Sequence, residues 1–268
     1  SFAAEFGVTP VALTFNPHPM SVVRGLQVDA LSSMERRTEL LTSFGIHTVH
    51  VLEFNQQRAH QSAQDFIQEV LRDSLHAEHV VVGNGFRFGH SALGTSQDLR
   101  DAGLGVHEVP HVVAHEERVS STRIRHALVE GKLELANSLL TRPHRIEGTV
   151  IYGQQRGREL GYPTANIAPS FRQAIPVDGI YAGWLRRLDS TQQWPAAISI
   201  GTNPTFSDVE TRAIEAFAID ATDLDLYGAP IAVDFVEYLR PMLAFKDVSE
   251  LIDAMALDVT RSKHILHL

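Results

Sequence analysis

The sequence contains no cysteine and only three lysines among its 268 residues. Without cysteine the chain cannot form disulfides, thiolate metal sites or a cysteine nucleophile. No apolar run approaches the roughly 18 residues of a membrane-spanning helix, and no basic and apolar leader opens the sequence. The formal net charge of −9 leaves no dominant basic face for nucleic acid or a membrane surface. These absences favour a cytoplasmic enzyme without a nucleic-acid or membrane partner.

Two further features of the sequence affect later arguments. Lysine is confined to Lys132, Lys246 and Lys263 while arginine is plentiful, so an arginine where lysine is expected fits the composition. The chain begins at Ser1 rather than at methionine, and we expect an N-terminal piece to precede it. The length suits two domains.

Strand-like and helix-like segments alternate in the first half of the chain. This order predicts a parallel sheet with crossover helices, whose ligands bind beyond the carboxyl ends of the strands. The polar segments Asn16–Pro19 and Gly83–Gly89 fall at such ends. The predicted strands are Val11–Phe15, His47–Phe54, His79–Gly83 and Val106–Val109, and the predicted helices are Met34–Phe44 and Ser62–Leu75, with Ser62 as N-cap.

A change of pattern near Thr141–Pro143 predicts a domain boundary, with domains at residues 1–141 and 142–268. Before it, a helix over Arg123–Glu130 capped by Ser120–Thr122 precedes a second helix over Leu133–Leu140. Beyond it, short alternating runs separated by Gly and Pro predict a small antiparallel barrel, followed by a helix over Val248–Leu266. The predicted barrel strands are Arg145–Tyr152, Gly179–Arg187, Ala196–Ile200, Ala213–Asp220 and Ile231–Leu239.

The segment Gly161–Asn166 is the most informative motif of the second half. Pro163 favours an extended backbone before it, and Thr164 and Asn166 then point to the same side. A hydroxyl and an amide oxygen side by side suit Mg²⁺, which shares phosphate oxygens with its protein ligands. Upstream, the loop Gly153–Arg158 carries two guanidinium groups that fit phosphate. The pattern alone equally allows a polar turn between barrel strands.

Glu215 lies in a strand-like run where period-two alternation places it on one face with Phe217 and Ile219. A carboxylate among apolar neighbours is costly unless it is paired or functional. Partial burial raises a carboxyl pKa towards neutrality, as a general base for a hydroxyl nucleophile requires. The alternative is a solvated glutamate at the barrel edge.

Four motifs occur here in the order typical of the bacterial bifunctional riboflavin kinase/FAD synthetase family, which the chain resembles over essentially its whole length. The motifs are Gly161–Asn166, Gly201–Phe206, Ile214–Phe217 and Asp225–Gly228. The resemblance implies an ATP-dependent kinase that converts riboflavin to FMN with Mg²⁺. It implies a Rossmann-like nucleotidyltransferase sheet, truncated at its start, followed by the riboflavin kinase barrel with its C-terminal helix.

The resemblance also implies roles for individual residues of the second half. Thr164 and Asn166 would ligand Mg²⁺ and the ATP phosphates, and Glu215 would activate the ribityl 5′-hydroxyl. The residues implied to bind nucleotide are Gly153, Gly157, Arg158, Gly161 and Pro163, with Arg158 where the family usually has lysine. The residues implied to border the flavin are Phe206, Tyr227 and Arg240.

For the first half, the resemblance implies a domain that adenylylates FMN to FAD. His18 in the segment Thr14–Pro19 would contact ATP phosphates, and the segment Ser120–Arg125 resembles the family signature at a helix start. There Ser121, Thr122, Arg123 and Arg125 would bind the phosphates, although Ser-Ser-Thr before a helix is more often a simple cap.

Three departures from the family pattern predict that this chain lacks efficient adenylyl transfer. The His-x-Gly-His motif is absent and would precede Ser1, Asn16 replaces a usually acidic residue, and Gly85 replaces a usual Asp or Asn. The alternatives are a full FAD synthetase whose N-terminal segment lies outside this sequence, a non-catalytic flavin-binding module, and a lone adenylyltransferase of another specificity. The sequence leaves the oligomeric state open.

The fourteen histidines raise the question of a zinc site. His107, His111 and His115 recur at steps of four, which would align them on a helix. Pro110 and the valine-rich surroundings favour a strand and loop instead. We therefore expect no zinc site there.

Overall fold

The computed structural model describes residues 2–153, 160–202, 212–222 and 224–268. These residues form two compact units, one within Ser1–Val28 and Met34–Val119 and the other within Asp29–Ser33 and Ser120–Leu268. The predicted boundary at residue 141 stays a prediction, and the helices before it fall within the second unit.

The first unit contains two pairs of parallel strands. Strand β1 (Val11–Asn16) pairs with β2 (Thr48–Glu53), and strand β3 (His79–Gly83) pairs with β6 (Gly105–Val109), each pair forming its own two-stranded sheet. The predicted parallel strands and crossover helices are confirmed, and they form two separate pairs among the described residues. The elements are α1 (Phe2–Phe6), β1 (Val11–Asn16), α2 (Pro19–Val23), α3 (Met34–Ser43), β2 (Thr48–Glu53), α4 (Gln56–Ala59), α5 (Ala63–Asp65), β3 (His79–Gly83), β4 (Arg87–Phe88), β5 (Gly94–Thr95), α6 (Ser96–Asp101), β6 (Gly105–Val109), β7 (Val113–Ala114) and β8 (Glu117–Arg118).

The core of the first unit forms around the helical segment that connects β2 to β3. Ser62 caps this segment as predicted, accepting a hydrogen bond from the Asp65 backbone N–H at 3.0 Å. After α5 the chain continues as a π-helix over Phe66–Ser74. The apolar stripe is buried as its spacing predicts, and strand residues such as Leu13 and Val80 pack against it. The buried members of the stripe are Phe66, Ile67, Val70 and Leu71.

The second unit is a helix pair, a barrel and a C-terminal helix. The six barrel strands close in the order β10-β13-β12-β11-β14-β9, and all are antiparallel to their neighbours. The elements are α7 (Ser121–Val129), α8 (Leu133–Leu140), β9 (His144–Ile151), β10 (Thr164–Pro169), β11 (Gly179–Arg187), β12 (Gln193–Thr202), β13 (Arg212–Ala218), β14 (Pro230–Arg240) and α9 (Val248–Ile265).

Alternating apolar side chains fill the barrel interior. On β13, Ile214, Ala216 and Ala218 are buried while the residues between them are only partly covered. Ile198 and Ile200 of β12 contribute to the same interior. The predicted antiparallel barrel is confirmed, and it gains a sixth strand, β10, from the motif that we read only as an extended segment. Closure leaves no unpaired sheet edge, which explains why such short strands hold together.

The C-terminal helix α9 is attached to the barrel through polar side chains. The Arg240 guanidinium, at the end of β14, donates to both carboxylate oxygens of buried Asp258 on α9, with the shortest distance 2.6 Å. Asp247 caps the helix by accepting from the Glu250 backbone N–H at 2.9 Å. The helix was predicted from its apolar spacing, yet its most buried residues are Asp258 and Ser262. Among the described residues, no helix combines the length and apolarity that crossing a membrane requires.

His144 at the start of β9 gives the second unit a pH-dependent stability. It is 1% exposed, and its Nε2 lies 2.7 Å from the Ala174 carbonyl oxygen. Burial lowers the pKa of His144 from 6.5 to about 4, partly opposed by that hydrogen bond. Between these values the unfolded chain binds more protons than the folded one. The free energy of unfolding therefore carries no penalty from His144 above pH 6.5. It falls by about 3 kcal/mol as the pH drops towards 4.

We expect His144→Phe to remove this part of the pH dependence, because a phenyl ring keeps the stacking on Phe235 without a titrating group. Urea unfolding between pH 7 and 4.5, followed by tryptophan fluorescence, measures it. Both tryptophans, Trp184 and Trp194, lie on barrel strands, so the signal reports the second unit. Equal pH slopes for wild type and variant would contradict the assignment.

Candidate functional site

Strands β10 and β13 bring the polar residues of the two central motifs together. Their register pairs Asn166 with Glu215 and Thr164 with Phe217. Directly opposite residues of an antiparallel pair share a face of the sheet. Because Ile214 faces the barrel interior, Glu215 and its partners lie on the outer face of the barrel. The three residues predicted to carry the chemistry are therefore neighbours on one surface.

The surroundings of Glu215 favour a proton-accepting role. The side chain is half-buried, and burial raises the pKa of its carboxyl group above the ordinary value. A hydrogen bond from the Thr164 hydroxyl opposes part of this rise. A carboxylate with a raised pKa binds a proton more readily in a reaction near neutral pH. The predicted shared face holds for Phe217, whereas Ile219 lies beyond the end of β13 and is 2% exposed.

The segment entering β10 is shaped by a glycine and an aromatic contact. Gly161 has φ +84°, a left-handed conformation that side chains rarely adopt. The Tyr162 ring then packs edge-on against Phe217, with 5.2 Å between ring centroids. This contact holds Tyr162 beside β13, the strand that carries Glu215. The next residue, Pro163, is exposed. Strand β10, which carries Thr164 and Asn166, thus pairs with β13 in a defined register.

Two more predicted residues lie near the end of β9, beside this surface or one residue away from it. A Cβ atom on Gly153 would overlap the side-chain amide of Asn166, so the strand end approaches that amide closely. Tyr227 stacks on Tyr152, the residue before Gly153. The predicted site residues Gly157, Arg158 and Phe206 lie outside the described residues, as does most of the loop Gly153–Arg158.

Arg240 has a different environment from the residues above. Its guanidinium binds Asp258, donates to the Pro241 carbonyl oxygen at 3.1 Å, and lies 5.7 Å from the Phe245 ring centre. The ion pair with Asp258 holds α9 against the barrel. Arg240 therefore supports the helix that we expect to border the flavin.

The oxygen atoms of this surface fit a divalent cation that is shared with phosphate. A hydroxyl, an amide and a carboxylate are hard ligands, and Mg²⁺ characteristically uses one or two of them together with substrate phosphates and water. Thr164, Asn166 and Glu215 supply these groups. In the part of the chain that the structure describes, no three His, Asp or Glu residues are grouped to hold a metal ion by themselves.

The residues predicted to bind phosphate for adenylyl transfer lie at or near the N-termini of α2 and α7. His18 caps α2, its Nδ1 accepting from the Met20 backbone N–H at 3.2 Å. Ser120 caps α7 by accepting from the Arg123 N–H, which leaves Ser121 and Thr122 exposed in the first turn. The Arg125 Nε donates to the Asp29 carbonyl oxygen at 2.6 Å, so Arg125 anchors a neighbouring segment of the second unit.

The first unit contains a cavity of about 1470 Å³. Strands β1 and β3 contribute its apolar walls, and three arginines lie among the polar side chains that line it. Its volume exceeds the roughly 300–1,000 Å³ of an ordinary ligand pocket. The arginines are Arg24, Arg58 and Arg87.

Sequence reasoning did not single out Ser199, which lies beside Glu215, or Tyr152, which precedes Gly153. Ser199 on β12 pairs with Glu215 from the other side, and alternation within Ala196–Ile200 would have placed it on the outer face. Tyr152 had been assigned only as the last residue of a strand. No local pattern signals its stack on Tyr227, because the two residues meet only when β9 and β14 pair.

Known proteins match both halves of the chain. A family model described as riboflavin kinase matches residues 140–266, and one described as FAD synthetase matches residues 1–123. A bifunctional riboflavin kinase/FMN adenylyltransferase of Listeria monocytogenes is 36% identical over 261 residues, covering 96% of this chain and 82% of the relative. A protein of the same name from Pseudomonas fluorescens is 33% identical over 266 residues, covering 97% of this chain and 84% of the relative.

A solved structure has the same fold. The crystal structure of a protein named macrolide-efflux protein, from Streptococcus pneumoniae, superposes with a TM-score of 0.88 at 30% identity. The match covers 98% of this chain and 86% of the other.

Proposed function

Because the chain belongs to the bifunctional riboflavin kinase/FMN adenylyltransferase family, we propose that its second half transfers the γ-phosphoryl group of ATP to riboflavin. The products are FMN and ADP. The observation that carries this proposal is the outer face of β10 and β13, where Thr164, Asn166 and Glu215 meet. We place the reaction in the cytoplasm, where ATP is available.

In the proposed reaction Glu215 acts as the general base. Its carboxylate accepts the proton of the ribityl 5′-hydroxyl while that oxygen forms a bond to the γ-phosphorus. The bond from the γ-phosphorus to the bridging oxygen breaks, and its electron pair leaves with ADP. Thr164 donates to the Glu215 carboxylate and thereby orients it, so the proton acceptor is held in place before substrate arrives.

Thr164 and Asn166 would hold Mg²⁺ through their side-chain oxygens. The ion, when bound, neutralises charge on the β- and γ-phosphates. Around it we assign nucleotide binding to the glycine segment, with Gly153 and Gly161 allowing close approach of the backbone. The remaining proposed nucleotide contacts are Gly157, Arg158 and Pro163, and the proposed flavin contacts are Phe206, Tyr227 and the helix supported by Arg240.

A second activity, transfer of an adenylyl group to FMN, is proposed for the first half. The match to the FAD synthetase model and the large cavity bordered by arginines favour a ligand that combines an aromatic ring with phosphates. His18, Ser121, Thr122, Arg123 and Arg125 are the proposed phosphate contacts. We expect this step to be slow, because Asn16 replaces a usually acidic residue and Gly85 replaces a usual Asp or Asn.

Incubation with riboflavin, ATP and Mg²⁺ is therefore expected to produce FMN well ahead of FAD. Chromatography of the flavins over time measures both products from one reaction. Riboflavin with Mg²⁺ and ADP serves as the control that contains no phosphoryl donor. FAD formed as fast as FMN would contradict the slow second step. Riboflavin binding without any product would indicate a non-catalytic flavin-binding module.

A further inference from the structure

The end of strand β9 is fastened to the turn before β14. Val150 accepts from the Gly228 backbone N–H at 2.9 Å and donates its own N–H to the Ala229 carbonyl oxygen at 3.2 Å. Just beyond these hydrogen bonds the rings of Tyr152 and Tyr227 stack, with centroids 4.0 Å apart and planes 17° from parallel. The two segments are thus joined by backbone hydrogen bonds and by an aromatic pair.

This aromatic pair is at the surface. Tyr152 is 74% exposed and Tyr227 is 42% exposed, so the stack buries little area of the folded core. The barrel is closed by the hydrogen-bonded pairing of β9 with β10 and β14. Folding of the barrel therefore does not depend on the two rings, and a local role at the surface explains them better.

Gly153, the residue after Tyr152, lies against the side chain of Asn166, one of the proposed metal ligands. Gly153 lies so close to Asn166 that any side chain at position 153 would occupy the space of the Asn166 amide. Asn166 in turn lies opposite Glu215. The stack of Tyr152 on Tyr227 therefore lies next to the contact that limits where the Asn166 amide can point.

We propose that Tyr152 is a positioning residue for Mg·ATP. Its stack on Tyr227 holds the end of β9 so that Gly153 stays against Asn166, and the amide oxygen is directed at the metal and phosphates before they bind. The inference rests on the proposed kinase function and adds a residue to it. Without the stack, the residues beyond the Val150 hydrogen bonds are less restrained and binding must order them, which lowers affinity for the nucleotide.

We expect Tyr152→Ala to raise the KM for Mg·ATP about tenfold, the factor that corresponds to loss of a strong aromatic pair. Because the glycine contact concerns nucleotide binding, kcat and the KM for riboflavin should each stay within about twofold. Tyr152→Phe keeps the stack and should restore the wild-type KM. Phe44→Ala, which removes an 82% exposed ring from the first unit, is the matched control.

Two further measurements separate positioning from folding and from turnover. Calorimetric binding of Mg·ADP should weaken in Tyr152→Ala by about the same factor as the KM changes, while thermal unfolding followed by tryptophan fluorescence stays at the wild-type temperature. Gly153→Ala should weaken Mg·ADP binding as well, because it displaces the same amide. Combining the two substitutions should add little to the larger single effect, since both act through Asn166.

Several outcomes would overturn the inference. Wild-type affinity for Mg·ATP in Tyr152→Ala would do so, as would a riboflavin KM that rises while the nucleotide KM does not. A lower unfolding temperature that accounts for the whole loss of affinity would assign the ring to folding. If the wild type forms no FMN, the kinase proposal fails by itself, and the Mg·ADP calorimetry still decides the role of Tyr152.

Discussion

Glu215→Gln is expected to lower kcat for FMN formation by about 10²–10⁴-fold, the contribution of a positioned general base. Glutamine has the same shape and can still accept the hydrogen bond from Thr164, so the local structure should persist. It cannot take the proton of the ribityl hydroxyl. A coupled assay for ADP, or chromatography of FMN, measures the loss.

The pH profile distinguishes loss of a base from a general disturbance. Burial raises the pKa of Glu215, so the acid side of the wild-type profile should fall at a higher pH than an ordinary carboxyl group would give. Activity is present above that pKa and is lost as the pH falls through it, because the base becomes protonated. The residual activity of Glu215→Gln should lack this fall.

Asp220→Asn is the matched control for this substitution. Asp220 lies two residues beyond the end of β13, where it forms an exposed ion pair with Lys263 at 2.7 Å. Asparagine tolerates its left-handed backbone at φ +57°. We expect wild-type kcat in this variant. Near-normal kcat in Glu215→Gln would remove Glu215 from the role of base.

The sequence was sufficient to predict the placement of Glu215 on a partly apolar strand face. Period-two alternation separates it from Ile214 and Ala216, and the structure confirms that these two are buried while Glu215 is half-buried. Alternation could not predict that Asn166 lies opposite Glu215. That pairing depends on the register of two strands that are distant in sequence, and no local preference encodes such a register.

Local patterns also explain why some element bounds were predicted and why the barrel strand β10 was missed. Leu133–Leu140 and Gly179–Arg187 were predicted with the bounds that the structure shows. Gly131 and Pro143 flank the helix, and Gly179 marks the start of the strand. Strand β10 begins within the polar motif itself, where Thr164 and Asn166 replace the usual apolar residues. Its strand conformation comes from pairing with β9 and β13, a tertiary effect.

The buried ion pairs of the second unit could not be predicted from the sequence. The most buried positions of α9 are Asp258 and Ser262, so the apolar stripe that predicted the helix does not identify its tightest contact. Asp258 is buried because Arg240 neutralises it from β14. The same logic explains Asp234, a charged residue in the middle of an apolar strand, which sequence alone marks only as an interruption.

Asp234→Ala is expected to destabilise the barrel by about 3 kcal/mol, the lower end of the range for removing one partner of a buried ion pair. Arg145 binds the Asp234 carboxylate through two hydrogen bonds, at 2.6 and 2.9 Å, and Arg186 binds it through a third at 2.6 Å. Burial alone would raise the pKa of Asp234, but these hydrogen bonds and charges outweigh it and hold the pKa below its ordinary value. Removing the carboxylate leaves two guanidinium groups of like charge side by side between three strands.

Urea unfolding at pH 7 followed by tryptophan fluorescence measures this loss, since Trp184 lies beside Asp234 in the β11–β14 pairing. Asp189→Ala is the matched control, because it removes the partner of Arg187 in an exposed pair that solvent can replace. We expect its unfolding curve to match the wild type. Because the depressed pKa of Asp234 stabilises the fold only while the group is charged, the difference between Asp234→Ala and wild type should shrink as the pH falls through that pKa. An unchanged midpoint in Asp234→Ala at pH 7 would show that the three strands hold their register without the carboxylate.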